Sequence, residues 1–132
     1  MAQSSGTFEV EEVFTEQHDL LVLSLGFISP ENPLDILHFA CGRTRSGQIP
    51  PLIEDLLYIA RTDQDLACDS RDLIALAATP EGIALHLTEA GAEALRLPQQ
   101  TLFRFDRHPH LLPQAAALLT AMSAAGQEQV AP

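Results

Sequence analysis

The pattern of hydrophobic and polar residues is most regular between residues 56 and 107. This block contains four apolar runs, at residues 56–60, 73–78, 83–87 and 101–105. The middle two flank Thr79-Pro80-Glu81-Gly82, and because proline presets φ while glycine tolerates positive φ, they predict a β-hairpin. Thr88 is a suitable N-cap for a short helix over residues 89–96. The block therefore predicts a strand, a hairpin, a helix and a further strand.

The chain before this block predicts three more strands. Hydrophobic residues alternate with glutamates from Phe8 onward, with a slip before Val13, which indicates a strand with one solvated face. Residues 20–28 form a more apolar strand after a turn at residues 17–19, so these two strands should pair antiparallel. Two prolines within residues 29–33 predict a break without regular structure, and a third short strand follows it.

A late helix completes the predicted fold. Residues 111–125 are rich in alanine and leucine, with apolar residues three and four positions apart, which is typical of an amphipathic helix. Pro113 falls near the first turn, and Gly126 suits the position after the C-cap. We expect an α+β fold, with a mostly antiparallel sheet of about six strands and two helices from the C-terminal half packed on one face. Residues 1–132 should form one domain, with frayed tails at residues 1–6 and 127–132.

The charge of the chain narrows its possible partners. Eighteen acidic residues against seven arginines, with no lysine, give a net charge of −11. A field of this sign repels phosphate backbones and attracts basic proteins, so we expect a protein partner and no direct contact with nucleic acid. Acidity that serves only solubility is the alternative.

The sequence also carries no sign of export or membrane insertion. The first residues show no basic or apolar segment typical of a secretory signal. No apolar run approaches the ~18 residues of a membrane helix. We therefore expect a cytoplasmic protein that does not act at a membrane.

The motifs that could carry metal chemistry are weak. His108-Pro109-His110 with Asp106 has the spacing of metal ligands, but no third histidine is near in sequence and the proline favours a surface turn. Residues 63–74 begin like a calcium loop, but Cys68 and Ile74 stand where that loop requires glycine and glutamate. We therefore expect no bound metal.

Catalytic motifs are absent from the sequence. It contains no nucleophile elbow, phosphate-binding loop or dinucleotide fingerprint. Cys41 and Cys68 fit no metal motif and are expected to be reduced thiols. We therefore expect a protein that is not an enzyme and needs no cofactor.

The acidic segment 63–72 is the candidate binding surface. It places four aspartates within ten positions, between two predicted core strands, where a rigid scaffold would present them to a partner. A solvated acidic loop without a binding role is the alternative. The candidate partner-binding residues are those of this segment and the tyrosine before it: Tyr58, Asp63, Gln64, Asp65, Asp69 and Asp72.

Several short motifs between residues 56 and 122 occur in an order typical of one known family. They are Tyr58-Ile59 followed by Thr62-Asp63-Gln64, the strands 73–76 and 83–85 around Pro80-Glu81-Gly82, the helix around residues 92–95, Phe103-Arg104-Phe105-Asp106, and Leu118-Leu119 in the last helix. In this order they resemble the immunity protein 10 family of bacterial polymorphic-toxin systems. The chain departs from the family at residues 65–70, where a run rich in glycine and aromatic residues would be expected. The resemblance implies a non-enzymatic protein that binds one cognate toxin, encoded beside it, and protects the producing cell.

Two other classes stay open. Type III secretion chaperones are also small, acidic and α+β, but they usually begin with a helix, whereas the first element here is predicted as a strand. A small enzyme is the third class, and a cofactor or metal bound to the purified protein would indicate it. The neighbouring gene separates the first two classes, because it would encode either a large toxin or a secreted effector.

Overall fold

The computed structural model describes residues 5–18, 20–30, 32–42, 57–62 and 66–131. The strands in these residues are β1 (Ser5–Gln17), β2 (Leu20–Ser29), β3 (Asn32–Gly42), β4 (Tyr58–Arg61), β5 (Ala67–Asp69), β6 (Leu73–Thr79), β7 (Gly82–Leu87), β8 (Gln100–Arg104) and β9 (Val130–Ala131). The α-helices in these residues are α1 (Glu89–Leu95) and α2 (Leu111–Ala124). All nine of these strands belong to one sheet, in the order β5-β4-β3-β2-β1-β8-β7-β6-β9.

The long strand β1 joins the two parts of the sheet. Its first residues run parallel to β8, while its later residues pair antiparallel with β2. The register with β2 shifts between Val10 and Glu12, as in a β-bulge. Because a bulge changes which residues face inward, Val13 continues the inward side begun by Phe8 and Val10. The slip predicted in this strand is therefore confirmed.

The hairpin predicted around Pro80 is also confirmed. Strands β6 and β7 pair antiparallel and close with Thr79 opposite Gly82. Gly82 has a φ of 149°, and a Cβ atom at this position would collide with the carbonyl oxygen of Phe103 on β8. Only glycine suits both the backbone angle and the close approach of the neighbouring strand.

Both helices pack their buried side chains into the same core as the sheet. Thr88 caps α1 by accepting a hydrogen bond from the Gly91 amide, and Arg96 ends the helix in the left-handed conformation. The buried residues of α1 and α2 join one cluster with the inward residues of the strands. No helix among the described residues has the length and apolar character needed to cross a bilayer.

The sheet is larger than predicted, and it is mixed. Within the part of the chain that the structure describes, nine strands replace the expected six or so, and the pairs β1–β8 and β6–β9 are parallel. The strands without a counterpart among the predicted runs are very short: β5 lies in the acidic segment, and β9 lies in the predicted C-terminal tail, with Val130 buried. Strands of two or three residues carry too few positions for an alternating pattern, so the sequence did not indicate them.

The break predicted at residues 29–33 does separate β2 from β3, but Ser29, Asn32 and Pro33 belong to the strands themselves. Strands β2 and β3 are joined there by a tight turn in which Ser29 pairs with Asn32, and Pro33 lies inside β3. The ladder between the strands is irregular between Phe27 and Ser29, so Pro33 sits next to an interruption where a missing N–H is tolerated. The predicted loop at residues 42–48 lies, apart from Gly42, outside the described residues.

Candidate functional site

Strands β1 to β5 present one inner face and one outer face. Residues that are cross-strand partners point to the same side, so the pairing register assigns every position. The inner face carries buried residues such as Leu23, Phe39 and Ile59. We define the outer face by three rows of partners: Glu12, Gly26 and Ile36; Phe14, Ser24, His38, Ala60 and Ala67; Glu16, Val22, Ala40, Tyr58 and Asp69.

The outer face combines exposed aromatic side chains with acidic residues. Phe14 is 58% exposed and Tyr58 is 50% exposed, although both lie within regular strands. Three carboxylates accompany them, those of Glu12, Glu16 and Asp69. Between the two aromatic residues, this face also carries small residues, among them Ser24, Ala40 and Ala60. An exposed apolar patch rimmed by charge is typical of a protein-binding surface.

Two of the predicted site residues meet on this face. Tyr58 of β4 is the direct cross-strand partner of Asp69 of β5. The Asp69 carboxylate accepts hydrogen bonds from the Arg71 guanidinium, at 2.6 Å from Nη2, and from the Arg71 backbone amide at 2.9 Å. The hydrogen bonds from Arg71 hold the pKa of Asp69 below its usual range. Asp69 is therefore ionised at neutral pH, with its charge partly masked by Arg71.

Asp72, by contrast, has an intramolecular role. Its carboxylate accepts a hydrogen bond from the Thr88 hydroxyl at 3.1 Å, and Thr88 is the N-cap of α1. The Asp72 carbonyl also accepts from the Thr88 amide. The Asp72 backbone and Cβ pack closely against Gly91 in the first turn of that helix. The remaining predicted site residues, Asp63, Gln64 and Asp65, lie outside the described residues.

A buried ion pair holds the strand that carries Tyr58. The guanidinium of Arg61, at the end of β4, donates to the Asp35 carboxylate of β3 at 2.7 Å and 3.0 Å. It also donates to the carbonyls of Leu95 and Arg96 at the C-terminal end of α1, where the helix dipole favours a cation. Burial alone would raise the pKa of Asp35, but hydrogen bonds from Arg61, Thr62 and Ser29 outweigh it and hold that pKa below its usual range.

The sequence contained a signal for this pair that its hydrophobic pattern obscured. Asp35 interrupts the short apolar run of β3, and Arg61 directly follows the apolar run of β4. A charged residue next to a core strand needs a partner, because burying an unpaired charge is costly. The sequence, however, does not indicate which of seven arginines pairs with which of eighteen acids.

The residues considered for metal binding are not arranged as a metal site. His108 lies beside Glu11, with 3.4 Å between Nε2 and the carboxylate, and His110 is exposed at the start of α2. Asp106 pairs with Arg104. Within the described residues, no group of three or more histidine, cysteine or acidic side chains could hold an ion.

The two cysteines are thiols in different settings. Cys41 is buried in β3, and Cys68 of β5 is partly buried against the core. Burial, together with the nearby charges of Asp72 and Asp69, raises the pKa of the Cys68 thiol to about 12. A thiol of this kind is protonated, and hence a poor nucleophile, at neutral pH.

Two of the concavities formed by the described residues open on the sheet. One of about 150 Å³ lies on the outer face, between Glu12, Phe14 and Ile36. The other, of about 450 Å³, lies over β6, β7, β8 and the start of β1, with three alanines and His86 in its lining. The Nε2 atom of His86 is buried without a hydrogen-bond partner. The residues that line this larger concavity include no acid, so it does not suit a basic partner.

Comparisons with protein-family models, with curated proteins and with solved structures give no match for this chain. The resemblance to the immunity protein 10 family therefore rests on the order of the sequence motifs and stays a prediction.

Proposed function

We propose that this protein is a non-enzymatic inhibitor of the immunity-protein type, which binds a cognate toxin in the cytoplasm of the producing cell. The observation that supports this most strongly is the outer face, where Tyr58 and Asp69 are neighbours on a surface that also exposes Phe14. Aromatic residues that stand on a rigid sheet make good anchors for a protein partner, since little conformational entropy is lost on binding.

The charge of the protein indicates a partner with a basic surface. The net charge of −11 favours association with a positively charged protein and repels a second copy of the same chain. Among the described residues, neither Glu12 nor Glu16 forms a hydrogen bond or an ion pair within the chain. The carboxylates of Glu9 and Glu11, by contrast, accept hydrogen bonds from Arg107.

The packing of α2 also favours an inhibitor over a secretion chaperone that dimerises through a late helix. The last helix, α2, has its apolar residues Leu118, Leu119 and Met122 buried within the core, so they do not form an exposed surface for dimerisation.

The proposal is tested by co-expression with the product of the adjacent gene. We expect a stable complex and rescue of growth when that product is toxic. Because charge steers the encounter, the association rate should fall by about 10-fold or more from low to high salt, while dissociation changes less. Failure of the purified proteins to associate, or rescue of growth without a complex, would overturn the proposed function.

Point variants test whether the partner contacts the outer face. Tyr58→Ser should weaken the complex by about 10-fold, as expected for an aromatic anchor. Asp69→Asn should slow association more than Asp106→Asn, a matched control in which an aspartate also pairs with an arginine two positions away. Equal effects of the two aspartate variants would argue against a contact at Asp69.

The contribution of the acidic segment needs separate variants. Neutralising Asp63, Asp65, Asp69 and Asp72 together would also remove the hydrogen bonds of Asp69 and Asp72 within the chain. The double variant Asp63→Asn with Asp65→Asn tests the segment without this complication. If it slows association while leaving the melting temperature unchanged, the segment takes part in steering the partner.

A further inference from the structure

The smaller concavity on the outer face has the size and position of a side-chain binding site. It encloses about 150 Å³ and is lined by residues of β1, β2 and β3: Glu12, Val13, Phe14, Ser24, Gly26 and Ile36. We call this concavity the notch. Its volume suits one long side chain and is below the range of about 300–1,000 Å³ that is typical of small-molecule sites.

Gly26 keeps the notch open. It is the cross-strand partner of Glu12, and a Cβ atom on Gly26 would lie 3.2 Å from Glu12 Cβ and 3.3 Å from Leu34 Cδ1. Any other residue at position 26 would therefore fill the floor between β1 and β3. With glycine there, the backbone of β2 forms a low floor, and the side chains of Phe14 and Ile36 stand beside it.

The walls of the notch provide one aromatic ring and one carboxylate. The Phe14 side chain is 58% exposed and makes no ring contact with another aromatic residue of the described chain. The Glu12 carboxylate has no hydrogen-bond or ion-pair partner among the described residues. Ser24 Oγ is held 2.7 Å from His38 Nδ1, which fixes the hydroxyl in the notch lining.

We propose that the notch binds an arginine side chain of the protein partner, an inference that rests on the proposed function. A guanidinium stacks on an aromatic face and pairs with a carboxylate through two parallel hydrogen bonds, and the notch offers one group for each interaction. Lysine matches this arrangement less well, because its ammonium is compact, strongly hydrated and unable to form the planar bidentate pair. The negative field of the protein concentrates basic partners near this face.

The test compares two peptides of equal charge, acetylated and amidated hexa-arginine and hexa-lysine. Binding of each to the full chain is measured by calorimetry at low salt, and by NMR shifts of the Gly26 amide. General attraction to an acidic protein should act on both peptides alike. If the notch binds arginine, hexa-arginine should bind about 5-fold more tightly than hexa-lysine, because it gains one cation–π contact and one bidentate pair.

Three variants assign the preference to the notch. Glu12→Gln removes the carboxylate, and Phe14→Leu keeps an apolar side chain while removing the ring. Each should bring the ratio of the two affinities close to one. Glu16→Gln is the matched control, because it removes the same charge from the same face and strand but does not line the notch. It should weaken both peptides equally and leave the ratio unchanged.

The outcomes separate this inference from the proposed function. Equal affinity of the wild type for both peptides would contradict arginine binding in the notch. A loss of preference in Glu16→Gln equal to that in Glu12→Gln would contradict it as well. A complex with the toxin that is unaffected by Glu12→Gln and Phe14→Leu also overturns the notch, but it leaves the inhibitor function intact. An arginine preference that persists in a protein with no affinity for the toxin overturns the function alone. Melting temperatures of all variants establish that each is folded.

Discussion

The two faces of strands β1 to β5 each carry an aspartate paired with an arginine, and the pairs differ in their surroundings. On the inner face, Asp35 and Arg61 have 6% and 8% of their side chains exposed. At the edge of the outer face, Asp69 and Arg71 have 27% and 79% exposed. The separations are similar, 2.7 Å and 2.6 Å. The two ion pairs therefore differ in their exposure to water and not in their nitrogen–oxygen distance.

The difference shows how one sheet serves both stability and binding. Charges removed from water must stay paired, because an unpaired buried charge costs several kcal/mol. Exposed charges contribute little to stability and remain free to interact with a partner. The inner pair fixes β3, β4 and the end of α1 relative to one another. In the outer pair, the Arg71 guanidinium partly neutralises the carboxylate of Asp69 beside Tyr58.

Breaking the inner pair should have the largest effect. Arg61→Met removes the guanidinium and leaves the Asp35 carboxylate buried without its cation, which should lower the free energy of unfolding by about 3–5 kcal/mol. It also leaves the carbonyls of Leu95 and Arg96 without their donor. Denaturant unfolding followed by circular dichroism measures the change.

A paired replacement provides the control for this variant. Combining Arg61→Met with Asp35→Leu removes both charges, so no buried charge is left unpaired. The double variant should regain a large part of the lost stability. If the double variant is as unstable as Arg61→Met, the cost comes from lost packing and not from the unpaired carboxylate.

The inner pair should also govern part of the acid sensitivity. The pKa of Asp35 is lower in the folded state than its ordinary value near 3.9, so the pair contributes stability above that value. This contribution is lost as the pH falls from about 5 through the folded pKa of Asp35. The Asp35→Asn variant lacks this ionisable group at every pH. The free energy of unfolding of the variant should therefore fall less steeply than that of the wild type in this range. Unfolding free energies measured between pH 7 and 3 check this, with Asp69→Asn as the exposed comparison.

Adjacent residues of β5 show the same contrast in their chemistry. Cys68 is the inner-face partner of Ile59, while Asp69 points outward beside Tyr58. Because burial raises its pKa to about 12, the Cys68 thiol carries far less thiolate than a free cysteine at the same pH. We expect alkylation of native protein at pH 7.5 to be at least 10-fold slower than that of urea-unfolded protein. Equal rates, measured by mass spectrometry, would show that β5 opens readily.

Much of the fold could be predicted from the sequence because it depends on local patterns. The hairpin at Gly82, the N-cap at Thr88 and the α2 helix each follow from residues close together in the chain. The parallel pairs β1–β8 and β6–β9 could not be predicted in this way, because they join segments far apart in sequence. Local periodicity contains no information on which distant strands become neighbours.

The candidate site was only partly predictable for the same reason. The sequence predicts Tyr58 and Asp69 as binding residues, one just before and one within the acidic segment 63–72. In the structure the two are cross-strand partners. Asp72 is also an aspartate of this segment, but its carboxylate accepts a hydrogen bond from the Thr88 hydroxyl within the chain. Phe14 and Glu12 were assigned to a strand, but their role beside Gly26 depends on the register between β1 and β2.

Releasing the outer pair should have the smallest effect on stability and a specific effect on binding. Arg71→Gln frees the Asp69 carboxylate and changes the net charge from −11 to −12, since one arginine is lost. The melting temperature should not change, because the arginine side chain is solvent-exposed. Association with a basic partner should become about 2-fold faster at low salt, and the gain should vanish at high salt.

Arg104→Gln is the matched control, because it also frees an aspartate two positions away, but at the end of β8, which is not one of the strands β1 to β5. Stopped-flow association rates should therefore rise more for Arg71→Gln than for Arg104→Gln. An equal rise in both would mean that only net charge matters, and slower association in Arg71→Gln would mean that Arg71 itself contacts the partner.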